Sequence, residues 1–63
     1  MQLEMYDKVQ IKALLLQGDD TYTICGKSYD RENNLMFELE DEDGYLLDDL
    51  YYPESLIKVI EEN

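Results

Sequence analysis

Three observations predict an all-β domain of five short strands with one helical turn just before the last strand. Short segments alternate apolar and polar residues with the period of a half-buried strand, as in Leu35-Met36-Phe37-Glu38-Leu39-Glu40. Clusters of Gly, Asp and Asn separate these segments, at Gln17-Gly18-Asp19-Asp20, Asp30-Arg31-Glu32-Asn33-Asn34 and Glu42-Asp43-Gly44. Near the end, Pro53-Glu54-Ser55-Leu56 has proline at a first helical position and an acid near the positive end of the turn's dipole. A second fold class stays open at this level: α+β, an N-terminal helix packed on a small antiparallel sheet. Met5, Val9, Ala13 and Leu16 also recur at helical spacings, and Gly18 stands where such a helix would stop.

Taken in order, Met1 to Glu4 form a lead-in, and the first strand starts after Tyr6. Val9, Ile11 and Ala13 fall on one face, with Lys8, Gln10 and Lys12 on the other. The run Ala13-Leu14-Leu15-Leu16 is placed to cover the open end of a small barrel. Thr21 to Tyr29 is the second strand, rich in Thr, Tyr and Ile, as a pleated surface prefers. Gly26 within it predicts a bulge or sharp bend. The third strand begins at Leu35, turns through Glu42-Asp43-Gly44, and its apolar pattern resumes at Tyr45, Leu46 and Leu47. Leu50-Tyr51-Tyr52 runs into Pro53, which cannot donate to a ladder and closes the fourth strand. Ile57 to Ile60 is the last strand, and Glu61 to Asn63 a solvated end.

The central hairpin is also the most charged stretch, carrying Glu38, Glu40, Asp41, Glu42, Asp43, Asp48 and Asp49. The whole chain has 63 residues and a net charge of −11. Residues 1–31 contribute −1 (five acids, four bases), whereas residues 32–63 contribute −10, from eleven acids against Lys58. Such a field repels nucleic acid and anionic lipid and attracts basic protein surfaces or cations, although acidity also simply confers solubility. A single domain is expected at this length, near the lower limit for folding without a disulfide or metal. Six Tyr and one Phe in a chain that is 44% hydrophobic separate it from a disordered acidic tail.

Most familiar chemistry lacks its residues. There is no His, and Cys25 stands alone without a partner to activate it, so a structural thiol in a reducing, cytoplasmic compartment is expected. Three scattered glycines form no phosphate-cradling pattern. Asp41-Glu42-Asp43-Gly44 is not an EF-hand loop: with Gly44 at its sixth position, the first and twelfth ligands would be Leu39 and Leu50. No stretch is long and apolar enough to span a membrane. The expectation is a non-enzymatic protein with no cofactor and no metal.

The layout resembles SH3-like small barrels, in particular the KOW-like and Tudor-like members. Tyr6-Asp7-Lys8-Val9-Gln10-Ile11-Lys12 resembles their first strand, and Tyr22-Thr23-Ile24 sits where many carry Gly-Thr-Val. Phe37-Glu38-Leu39 before an acidic turn resembles their central hairpin, and Pro53 to Ile60 their closing turn and strand. These are patterns of residue class over Tyr6 to Ile60. Tyr22 departs from the usual Gly, and the basic loops with which KOW-like domains touch RNA are absent.

Two functions follow as expectations. In the first, the acidic hairpin docks on a basic, nucleic-acid-binding protein, its carboxylates imitating a line of phosphates. In size and charge the chain resembles phage-encoded DNA-mimic inhibitors of restriction or CRISPR nucleases. Glu38, Glu40, Asp41, Glu42, Asp43, Asp48 and Asp49 would carry the contact, with Tyr45, Tyr51 and Tyr52 as aromatic anchors. In the second, the resemblance to Tudor-like and SH3-like domains implies a peptide-binding, immunity or regulatory module. Its rim would come from Tyr22, Tyr29, Tyr45, Tyr51 and Tyr52, and Asp48 or Asp49 could pair with a bound cation. Either way the expected state is a monomer or weak dimer, since edge acids and Pro53 discourage strand-edge pairing.

Overall fold

A computed structural model describes residues 3–60; the expected solvated end at Glu61 to Asn63 and the first two residues of the lead-in lie outside the described residues. The chain is all-β. Five strands, β1 (Lys8–Ile11), β2 (Tyr22–Tyr29), β3 (Leu35–Glu40), β4 (Leu46–Tyr51) and β5 (Leu56–Lys58), form one antiparallel sheet in the order β4-β3-β2-β1-β5. Short 3-10 turns cover Lys12–Leu14 and Pro53–Ser55.

Among the described residues the core is six buried side chains, Val9, Ile11, Ile24, Phe37, Leu39 and Leu56, drawn from every strand except β4. Alternation explains the choice. On β3, Phe37 and Leu39 point inward, while Met36, Glu38 and Glu40 take the other face and stay half-buried. Leu3, Met5, Leu14, Tyr22, Leu35, Leu47 and Tyr51 pack around this centre.

The first strand is shorter than its alternation predicts. It ends at Ile11, and Ala13, expected on the inner face, lies exposed in the 3-10 turn. Backbone bonds from Leu15 N–H to the Lys12 carbonyl (3.3 Å) and from Gln17 N–H to the Leu14 carbonyl (3.0 Å) hold that turn. Of the run expected to cover a barrel end, Leu14 packs on the core and Leu16 is fully exposed. The alternative helix over Met5 to Leu16 does not form. The segment before β1 is already tied to the sheet: Tyr6 N–H donates to the Ile24 carbonyl (2.8 Å) and Ile24 N–H to that of Asp7 (3.0 Å). The Asp7 carboxylate accepts from Glu4 N–H (2.9 Å) and pairs with Lys58 on β5 (3.6 Å).

Gly26 marks a bulge, as its position in β2 predicts. The register with β3 shifts between Ile24 and Gly26, leaving Cys25 as the extra residue. Close approach is the reason for glycine: a Cβ here would lie 2.8 Å from Glu38 Oε1 and 3.2 Å from Glu38 Cβ. A larger irregularity separates β3 from β4. Glu38 pairs with Leu50 and Glu40 with Leu46, so Leu39 faces the span of Leu47, Asp48 and Asp49. β4 closes before Pro53, as expected, and the last strand runs Leu56–Lys58 rather than Ile57 to Ile60. Pairing decides this shift, because Leu56 opposite Ile11 is buried whereas Ile60 is exposed.

Two substitutions test this arrangement in urea unfolding followed by circular dichroism. Phe37→Ala, by emptying the largest fully buried site, is expected to cost about 3–5 kcal/mol, enough to unfold a domain of this size. Gly26→Val is expected to cost about 1–3 kcal/mol by crowding Glu38. An unchanged midpoint for either would place the core or the bulge elsewhere.

Candidate functional site

Both β-hairpins of the β2-β3-β4 meander use one turn design, and it fixes the acidic surface. In the first, Asp30 Oδ1 accepts from the N–H groups of Glu32 and Asn34, each at 2.9 Å. In the second, Asp41 Oδ1 accepts from Asp43 and Tyr45, again at 2.9 Å. Backbone bonds close each loop, Asp30 N–H to the Asn34 carbonyl (3.0 Å) and Asp41 N–H to that of Tyr45 (2.9 Å). The fourth residue of each takes a left-handed conformation, Asn33 with φ 67° and Gly44 with φ 88°. Asp-x-x-Asn and Asp-x-x-Gly are the signals in the sequence that predict this, and they give Asp41 a structural role alongside any binding role.

The remaining carboxylates of the hairpin differ in accessibility. Glu42 and Asp43 are exposed at the turn, and the Thr21 hydroxyl donates to Glu42 Oε1 at 2.8 Å. Asp48 and Asp49 are exposed where β4 departs from its register with β3. Glu38 and Glu40 are half-buried on the outer face of β3, Glu38 over Gly26 and Glu40 in a row with Thr23 on β2 and Leu46 on β4. Asp20 joins this group. With Thr21, Tyr22, Asp41, Glu42, Asp43 and Leu47 it lines a shallow groove of about 400 Å³ between the loop before β2 and the β3-β4 turn. No local pattern points to Asp20; the pairing of β2 with β3 brings it there.

The five tyrosines do not all converge, although Tyr22 and Tyr51 both pack against the core. Tyr22 and Tyr29 stand at opposite ends of β2, roughly 23 Å apart at the usual rise per residue. Tyr45 is exposed beside the acidic turn, whereas Tyr51 is half-buried against the core. Burial, and then the charge of Asp49, raises the Tyr51 hydroxyl pKa. Tyr52 belongs to the other turn, donating to Asp30 Oδ2 at 2.8 Å. That bond raises the Tyr52 pKa, while the Asn34 backbone N–H and then the Tyr52 hydroxyl lower that of Asp30.

Cys25 is half-buried, its Sγ 3.4 Å from the Glu38 carbonyl oxygen. Burial, followed by the charges of Glu38 and Glu40, pushes its thiol pKa up, which disfavours the thiolate a nucleophile needs. Among the described residues, no group of three or more His, Cys, Asp or Glu is placed to hold a metal ion, and no helix is long and apolar enough to cross a membrane. Comparisons with family models, curated proteins and solved structures give no match to this chain.

The Asp30 turn has a pH signature. Its folded pKa lies below the ordinary value, so the stability it contributes is present above the normal carboxylate range and is lost as pH falls through the folded pKa. Tyr52, with a raised pKa, contributes stability present below the ordinary tyrosine range and lost as pH rises through its folded value. The difference in urea midpoint between wild type and Asp30→Asn is therefore expected to be largest near neutral pH and to shrink on acidification. A difference independent of pH would mean that the charge of Asp30 is not what the turn uses.

Proposed function

We propose that this chain is a non-enzymatic, cytoplasmic protein-binding domain on an SH3-like small barrel, whose acidic β3-β4 hairpin docks on the basic surface of a nucleic-acid-binding protein. The strand order β4-β3-β2-β1-β5, with a 3-10 turn between β4 and β5, supports the SH3-like reading. The lone cysteine supports a reducing compartment.

One observation carries the functional reading: Glu42, Asp43, Asp48 and Asp49 all sit exposed on a single hairpin whose turn is pinned by Asp41. Carboxylates carried on a pinned turn are pre-organised for cations, so less ordering entropy opposes binding. Field lines from the acidic half steer a basic partner towards it and repel nucleic acid itself. In its sharpest form the domain is a DNA-mimic inhibitor, of the type that blocks restriction or CRISPR nucleases by occupying the DNA-binding surface. A tyrosine-rim peptide site has less support, because Tyr29 and Tyr52 lie at the far end of the sheet from Tyr22 and Tyr45.

The test is capture from a bacterial lysate by wild type and by a variant with Glu42→Gln, Asp43→Asn, Asp48→Asn and Asp49→Asn, leaving the structural Asp41 in place. Retained proteins are expected to be nucleic-acid binders that high salt or added duplex DNA releases. At roughly 0.2–1 kcal/mol for each exposed pair removed, the variant is expected to bind about fourfold to nearly a thousandfold more weakly. A partner that survives the variant, salt and DNA alike would reduce the hairpin to a solubilising surface.

A further inference from the structure

From the outer edge of the sheet we infer that β4 is a strand-addition site for an extended segment of the partner in which apolar residues alternate with Lys or Arg. This rests on the reading of the hairpin as a protein-binding surface and adds how the partner is held.

β4 stands at one end of the sheet order and, among the described residues, pairs with β3 alone, so one side of its backbone has no neighbouring strand there. The other terminal strand, β5, is only three residues long. Beside that edge lies an apolar stripe. Leu46 and Leu50 pair with Glu40 and Glu38 across β3, on the face away from the core, and remain 59% and 39% exposed. Tyr45, 72% exposed, precedes Leu46 at the turn.

Charge selects the occupant. Glu38 and Glu40 flank the leucines on one side, and Asp48 and Asp49 lie between them along β4. A second copy of this edge would bring Asp48 and Asp49 towards their counterparts, and the irregular register at Leu47 to Asp49 further discourages a flat, self-complementary pairing. A strand carrying Lys or Arg at alternate positions converts that repulsion into attraction. Set on the outer face, those cations cover Leu46 and Leu50 with their aliphatic stems and reach the carboxylates with their charged ends. The apolar residues between them take the face of Leu47 and Tyr51, and the backbone takes up the open edge.

The experiment follows backbone amide NMR signals of the full chain titrated with three short peptides. One alternates lysine with valine, a second is the same peptide N-methylated at alternate amides, and a third alternates lysine with glycine. Strand addition predicts that the first shifts the amides of 46–51 and slows their hydrogen exchange, and that the other two bind far more weakly. Leu46→Ser with Leu50→Ser, both at exposed positions, is expected to weaken the first peptide about thirtyfold. If all three peptides bind alike and shift only the 41–44 turn, the acidic surface is real and the strand-addition inference is overturned. If none binds at low salt, cation recognition by the hairpin fails as well. Amide shifts that follow protein concentration without peptide would give the edge to a second copy instead.

Discussion

Burial of Phe37 and Leu39 on the inner face of β3 is the constraint from which the rest of this structure follows. Among the described residues six apolar side chains are buried, and β3 supplies two of them while pairing with both β2 and β4. Because side chains alternate along a strand, fixing those two inward fixes Glu38 and Glu40 outward. A slip of one residue would bury two carboxylates and expose the core, which costs far more than any exposed pair could return. The register that holds the fold together is thus the same one that builds the acidic face.

The two irregularities in the sheet share out that face. At Gly26 the missing side chain lets Glu38 lie close over β2, so this carboxylate becomes part of the packing. At the second, the chain between Leu46 and Leu50 has more residues than its partner strand, and the surplus is where Asp48 and Asp49 project. Bulges bend and twist strands, and here they also sort the acids into half-buried groups on β3 and exposed groups on β4 and the turn. β4 accordingly adds little to the core beyond Leu47 and Tyr51, which leaves its remaining side chains available to solvent.

Much of this was legible locally, and what was not has a common cause. The alternation in β3, the bulge at Gly26 and the stop at Pro53 are properties of neighbouring residues, and each appears where the sequence places it. Ala13 was misplaced because alternation cannot tell where a strand leaves its partner: pairing with β2 and β5 ends by Ile11, and the next residues close on themselves in a 3-10 turn. Asp20 beside the acidic turn, and Tyr52 bonded to Asp30, are contacts between residues about twenty positions apart. No period in the sequence encodes them; only the register of a folded sheet does.

The two aspartate turns show how a chain this acidic keeps its charge from working against its fold. Carboxylates crowded on one hairpin repel one another, and the repulsion favours an expanded chain. Asp30 and Asp41 counter this by placing their oxygens on backbone N–H groups, which locks each loop, and at Asp30 the same bonds stabilise the charged form. Around Asp30 the arrangement is extended by the Tyr52 hydroxyl, which ties the turn to the end of β4. Around Asp41 the next residues are Glu42, Asp43 and Gly44, with Thr21 donating to Glu42 from the neighbouring loop. One turn uses its aspartate to join elements of the sheet together. The other uses the same geometry to hold Glu42 and Asp43 outward at the tip of the second hairpin, and that difference leaves the second turn the more charged of the two.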